Sequence, residues 1–178
     1  MSRLIKKGSP ILSQKCSTVI KDFPASIEVC DVIDLCTTEL RELTGFWKDK
    51  GMSVAAPQVG HPDTPLFVMC SRQWWYTARQ YRNFQTCINP EIMEFSEEQS
   101  LAWEGCISND DDLCLVERPL QVRVRFNDLK GREFDISCSG LMSRIFQHEI
   151  DHLNGNLMWE SGQDNLTPRR LDSRVALS

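Results

Sequence analysis

Residues 147–155 read QHEIDHLNG, and the reading of those nine residues decides the rest. They end a longer run, SGLMSRIFQHEIDHLNG (139–155), in which Ser139 is placed to cap a helix and Gly155 to stop it. On a helix, His148 and His152 lie one turn apart on one face, so two imidazole nitrogens converge on one point. Glu149 lies beside that point, placed to take a proton from water activated at a metal. HExxH is short and occurs by chance on helices whose histidines are merely solvated. Here the chain has three histidines in all, and two of them stand at this spacing.

A catalytic divalent site usually takes three protein ligands and leaves one position open. The segment after the helix, NGNLMWESGQDN, offers Glu160 but no third histidine, and His61 sits in a proline-rich turn. That argues against an HExxH endopeptidase. Cys106, in EGCIS (104–108) between Glu104 and Ser108, is the better candidate, although by spacing alone three cysteines could be argued.

Working outward, 178 residues with 41% apolar and 25% charged content make one compact domain, read as 1–160 with a polar tail at 161–178. A formal net charge of -5 and no basic block beyond pairs such as Arg169-Arg170 argue against direct nucleic-acid binding and a membrane-surface role. PLFVMC (65–70) is far shorter than the ~20 residues of a spanning helix. Eight cysteines are scattered without a short repeated spacing, and most read as buried free thiols in a reducing compartment, with Cys30 and Cys36 as core positions of a helix.

The apolar spacing predicts a helix from Ala25 to Trp47. GMSVAAPQVG (51–60), a turn at HPDTP and the strand-like PLFVMC follow. Residues 71–83 fit no period and form a surface excursion whose Trp74 and Trp75 either cover a cavity or, the preferred reading, hold that loop down. CINPEIMEF is a strand, WEGCISNDDDLCLVERP an extended loop, and QVRVRFNDLKGREFDIS a β-hairpin. Strands outside a central helix give an α+β domain, with no internal repeat.

Three separated blocks, GMSVAAPQVG, EGCIS and QHEIDHLNG, stand in the order found in peptide deformylases, and the chain resembles that family from about residue 4 to 160. The likeness extends to KKGSPILSQKCSTV (6–19), INPEI (88–92) and the VERP that holds Arg118. It implies antiparallel β-sheets wrapped around a central helix carrying the metal motif. It also implies Cys106, His148 and His152 as ligands of one divalent ion. Ferrous iron is the first choice in the cell, with zinc, nickel or cobalt able to replace it. Glu149 is implied as general acid/base, with Gln58 and the backbone N–H of Ile107 as oxyanion donors. Gly51, Met52, Ser53, Val54 and Arg144 are implied at the substrate, and Glu104, Arg118 and Asp151 as structural support. The activity implied is hydrolysis of the N-terminal formyl group of formyl-methionyl nascent chains near the ribosome exit. The expected protein is a monomer in the bacterial cytoplasm, or in the mitochondrial matrix or a plastid if a leader was removed.

The chain departs from the family at three places. Ser53 replaces a glycine and is expected to alter substrate fit. Asn109-Asp110-Asp111-Asp112 replaces an apolar residue and a proline, an acidic loop that either favours basic peptides or is simply solvated. Arg144, four residues before His148, replaces an apolar residue of the methionine pocket and must snorkel out or find an acidic partner. Weaker discrimination for methionine, or a shifted preference, follows. A related N-acyl-peptide amidohydrolase with changed preference, or an inactive metal-holding peptide binder, are the alternatives.

Overall fold

The computed structural model of the protein describes residues 4–44, 52–70, 84–109 and 113–161. Gly51, the excursion at 71–83 with Trp74 and Trp75, Asp110 to Asp112, and the tail from 162 on lie outside the described residues.

Ile27–Thr44 is the first helix, α1, within the predicted span. Its buried face is Val32, Ile33, Cys36 and Leu40, an i, i+1, i+4, i+8 stripe. Cys30 falls off that stripe and is exposed, against the core position expected for it. All eight cysteines are free.

Strands β1 (Met52–Ala55), β2 (Leu66–Cys70), β3 (Gln85–Phe95), β6 (Gln121–Asn127) and β7 (Glu133–Ser139) pair antiparallel in the order β1-β2-β3-β6-β7. A single 3₁₀ turn, Ala56–Val59, follows β1. β2 shows why LFVMC is an unbroken apolar run. Leu66 and Val68 pack with the α1 stripe, while Phe67 and Met69 pack on the opposite face with Phe146 and Ile150 of α2 (Gly140–Leu153). The sheet is covered on both faces, so neither face needs polar residues. Phe146, fully buried, meets Phe67 and Phe126 at ring-centroid distances of 5.5 and 5.7 Å. Truncating it to alanine would cost about 3–5 kcal/mol.

The segment read as an extended loop is instead a second sheet. β4 (Gln99–Gly105) and β5 (Leu113–Pro119) form an antiparallel hairpin over the other side of α2. Its inward face carries Glu104 and Arg118, both buried and paired, so the alternation that marks a half-buried strand is written partly in charges. With this hairpin on one side and the five-stranded sheet on the other, α2 is the central helix of an α+β fold.

Ser139 occupies the N-cap position of α2 with extended backbone, but its hydroxyl makes no capping bond. At the other end Asn154 caps and Gly155 follows at φ +72. A Cβ there would stand 2.6 Å from the Ser13 carbonyl oxygen, so glycine lets the N-terminal segment cross the helix end. That segment is pinned by Cys16 N–H to the Leu153 carbonyl (2.8 Å), Ile5 N–H to Gln58 (2.8 Å) and Lys7 N–H to Ser108 (2.7 Å). A short helix, α3 (Met158–Ser161), packs by Met158 on Cys106 and Val116. No described helix is long and apolar enough to cross a membrane.

Candidate active site

α2 presents His148 and His152 from one face, with ring centroids 5.0 Å apart. The backbone leaves β4 at Gly105 and turns at once, which brings Cys106 to the same place. Its Sγ lies 3.3 Å from His152 Nε2. One ligand atom from each of Cys106, His148 and His152 lies within 4.8 Å of the others, the one such three-residue group among the described residues. A thiolate and two imidazoles form a donor set suited to ferrous iron, zinc, cobalt or nickel rather than to calcium or magnesium.

The surroundings orient these side chains. Glu104 Oε1 accepts from Arg118 Nε and Arg144 Nη1, each at 2.7 Å, and Oε2 accepts from Arg118 Nη2 at 3.0 Å. Burial alone would raise the Glu104 pKa, but His148 and Arg118 outweigh it and hold the carboxyl at about 2. An ionised Glu104 can only accept, so His148 Nδ1, 3.2 Å from Oε2, carries the proton and Nε2 is left for a metal. Arg118 also reaches Asp151 Oδ2 on α2 at 2.7 Å. The expected support group of Glu104, Arg118 and Asp151 is thus one connected network, in which Asp151 braces the helix through Arg118.

Burial lowers proton affinity at both histidines. At His148 the neighbouring Cys106, Glu104 and Glu149 reverse that and raise the pKa well above the ordinary value. At His152 burial is reinforced by His148 and Arg118, and the pKa falls well below it. Glu149 is almost wholly buried, and its carboxyl is pushed up by that burial, against His148, Ser53 and Arg118, which favour the anion. Ser53 Oγ donates to Glu149 Oε1 at 2.6 Å. Glu149 Oε2 is buried without a hydrogen-bond partner among the described residues. A buried acceptor left open on the residue next to His148 fits a site that takes a metal and its water.

Gln58 belongs to the 3₁₀ turn after β1. Its Oε1 accepts the Ala55 N–H at 2.9 Å, so its Nε2 is the end that faces Cys106 Sγ (3.4 Å) and Ser108 Oγ (3.1 Å). Ile107 follows Cys106 in the turn, and its carbonyl accepts from Lys6 Nζ at 2.9 Å. Ser53 faces α2 from β1, whereas Val54 turns its side chain under α1, which leaves only its backbone for a substrate. Nothing is described of Gly51 or of the Met52 side chain.

Arg144 finds its acidic partner in Glu104. Its guanidinium also donates to the Val116 carbonyl at 3.2 Å and to the carbonyl and hydroxyl of Ser100. Sequence reasoning missed Lys6 on the Ile107 carbonyl and Ser100 on Arg144, and it placed Ser53 at the substrate without its bond to Glu149. Each partner is 44 to 101 positions away, and no local signal marks it.

An imidazole pair and a thiol meeting at one point mark the class: a protein with a candidate single-metal site carried on an HExxH helix. The particular family comes from likeness to known proteins. The chain matches the polypeptide deformylase family over residues 1–166 and belongs to it. It is 31% identical over 178 residues to peptide deformylase 1A, chloroplastic/mitochondrial, of Arabidopsis thaliana, covering 95% of this chain and 62% of that protein. It is 34% identical over 139 residues to a peptide deformylase of Bartonella tribocorum, covering 75% and 76%. In structure it resembles the Met-Ala-Ser-bound class I type b peptide deformylase of Acinetobacter baumannii, at TM-score 0.73 and 32% identity, over 88% of this chain and 95% of that one.

Proposed function

We propose that this chain is a metal-dependent peptide deformylase that hydrolyses the N-terminal formyl group of formyl-methionyl nascent polypeptides and releases formate. The observation that carries the reading is the meeting of Cys106 with His148 and His152, 42 and 46 residues further along the chain, together with the open oxygen of Glu149. A likeness to bacterial and organellar deformylases, one of them holding Met-Ala-Ser, supports the substrate class.

Cys106, His148 and His152 would hold one divalent ion, with ferrous iron as the expected metal in the cell. Bound there, such an ion supplies Lewis acidity that lowers the pKa of water to roughly 7. The remaining work falls to the chain's own groups. Glu149 Oε2 accepts a proton from the attacking water and returns it to the amine nitrogen as the C–N bond breaks. A formamide needs that return, because an unprotonated amine is a poor leaving group. Gln58 Nε2 and the Ile107 N–H donate to the formyl oxygen as it gains negative charge.

β1 ends the five-stranded sheet, so a substrate backbone can add along its outer side at residues 52 to 54. Ser53 and the wall formed by the stem of Arg144 then shape the side-chain preference. The working form is a monomer acting on nascent chains near the ribosome exit, in bacterial cytoplasm or in an organelle of bacterial descent. The test is formate release from formyl-Met-Ala-Ser by anaerobically purified protein. Turnover that depends on metal and disappears in Cys106→Ser supports the reading, and absence of turnover by iron-loaded protein overturns it.

A further inference from the structure

We propose that Ser53 is a positioning residue for Glu149: its hydroxyl holds one carboxylate oxygen, so that the other is the oxygen that exchanges protons with the substrate. The inference rests on the reading of Glu149 as general acid/base and goes beyond the altered substrate fit expected of Ser53.

The 2.6 Å contact from Ser53 Oγ to Glu149 Oε1 is in the range of a hydrogen bond to an ionised acceptor. It joins residues 96 positions apart. The donor stands on a rigid element. Ser53 pairs with Met69 in the ladder with β2, and Ala55 two residues on is tied by Gln58 Oε1. The acceptor is buried and its second oxygen has no hydrogen-bond partner among the described residues. A glutamate has three side-chain torsions. With Oε1 anchored to a strand, rotation about the last of them is stopped, and Oε2 keeps one direction. The two oxygens are thereby made unequal, one structural and one reactive. A glycine at this position, as the family usually carries, has no side chain with which to do this.

The bond acts in two opposed senses. It fixes the base, and by donating to the carboxylate it makes that base weaker. Orientation is the larger effect when the reacting atoms must meet at hydrogen-bond distance. Removing the hydroxyl should therefore slow the chemical step and leave substrate binding alone.

The experiment measures kcat and KM on formyl-Met-Ala-Ser for the metal-loaded wild type, Ser53→Ala, Ser53→Gly, Ser53→Thr and Glu149→Gln. The expected result is kcat lower by about tenfold in the alanine and glycine variants, KM within about twofold, and kcat restored by threonine. Thermal unfolding of Ser53→Ala, Glu149→Met and the double variant gives a readout independent of turnover. The two single shifts should fail to add by about 3–6 °C, because each removes the same hydrogen bond. Unchanged kcat in Ser53→Ala, a loss carried wholly by KM, or additive unfolding shifts would overturn the positioning role. Full activity in Glu149→Gln would instead overturn the reading of Glu149 on which it rests.

Discussion

Arg144 Nη1 lies 2.7 Å from Glu104 Oε1, and this contact ties the metal-motif helix to the hairpin that delivers Cys106. Glu104 is the hub. It takes Arg118 from β5, Arg144 from α2 and the Nδ1 proton of His148, and it stands two residues before the cysteine. A charge that looked out of place in a methionine pocket is therefore neutralised on the side of the helix that meets β4 and β5.

Arg144→Leu should destabilise the protein by about 1–3 kcal/mol, less than a fully broken buried pair, because Arg118 remains on Glu104. Urea unfolding of wild type and variant measures it. A loss below about 0.5 kcal/mol would show the contact to be incidental.

With the Arg144 stem as the proposed wall of the side-chain site, the wild type should discriminate formyl-methionyl from formyl-leucyl tripeptides by no more than about tenfold in kcat/KM. Steady-state rates on the two substrates decide it, and a preference well above a hundredfold would count against the role given to Arg144.

Glu149→Gln and Gln58→Ala should each lower kcat by about 10²–10⁴-fold, the scale of a lost proton shuttle and of a lost oxyanion donor. Circular dichroism should show the fold kept in both. A variant that unfolds instead would mean that the buried side chain serves packing first.

Cys106→Ser should reduce bound metal well below one ion per chain, because a hydroxyl is a far weaker ligand than a thiolate for these ions. Chelation of the wild type should abolish turnover, and ferrous, zinc, nickel or cobalt ion should restore it in part or whole. Metal content by elemental analysis, read beside activity, separates loss of ligand from loss of fold.

At the β6–β7 turn, Asp128 accepts the N–H groups of Lys130 and Arg132 and pairs with the Arg132 guanidinium at 2.7 Å. Burial opposes the anion there, but Arg132 and the turn amides outweigh it and lower the carboxyl below its ordinary 3.8. A depressed pKa means the folded state favours the anion. The stability gained is present above pH 3.8 and is lost as pH falls through the depressed value. Wild type should therefore exceed Asp128→Asn in stability at pH 6, by about 0.5–1.5 kcal/mol, with the gap closing under acid. A gap that widens on acidification would reverse the sign.

The sequence by itself determined the helix, its caps at the level of Gly155, and the one-turn spacing of His148 and His152, because all of these depend on residues within a few positions of one another. It also carried the β6–β7 hairpin, whose two-residue alternation is local, and the strand at PLFVMC, whose burial on two faces only the packed structure shows. What only the tertiary structure decided are the long-range pairings. Cys106 could be chosen among the cysteines by family likeness, but the distance that brings it to His152 depends on how β4 ends against α2. The β4–β5 hairpin was read as a loop because its buried face carries Glu104 and Arg118, and a buried ion pair looks in sequence like two exposed charges. Ser53 and Arg144 could be marked as departures, yet neither chain position names its partner. Hydrogen bonds and ion pairs are satisfied by whatever group the fold brings within about 3 Å, and that is a property of the packed chain rather than of spacing along it.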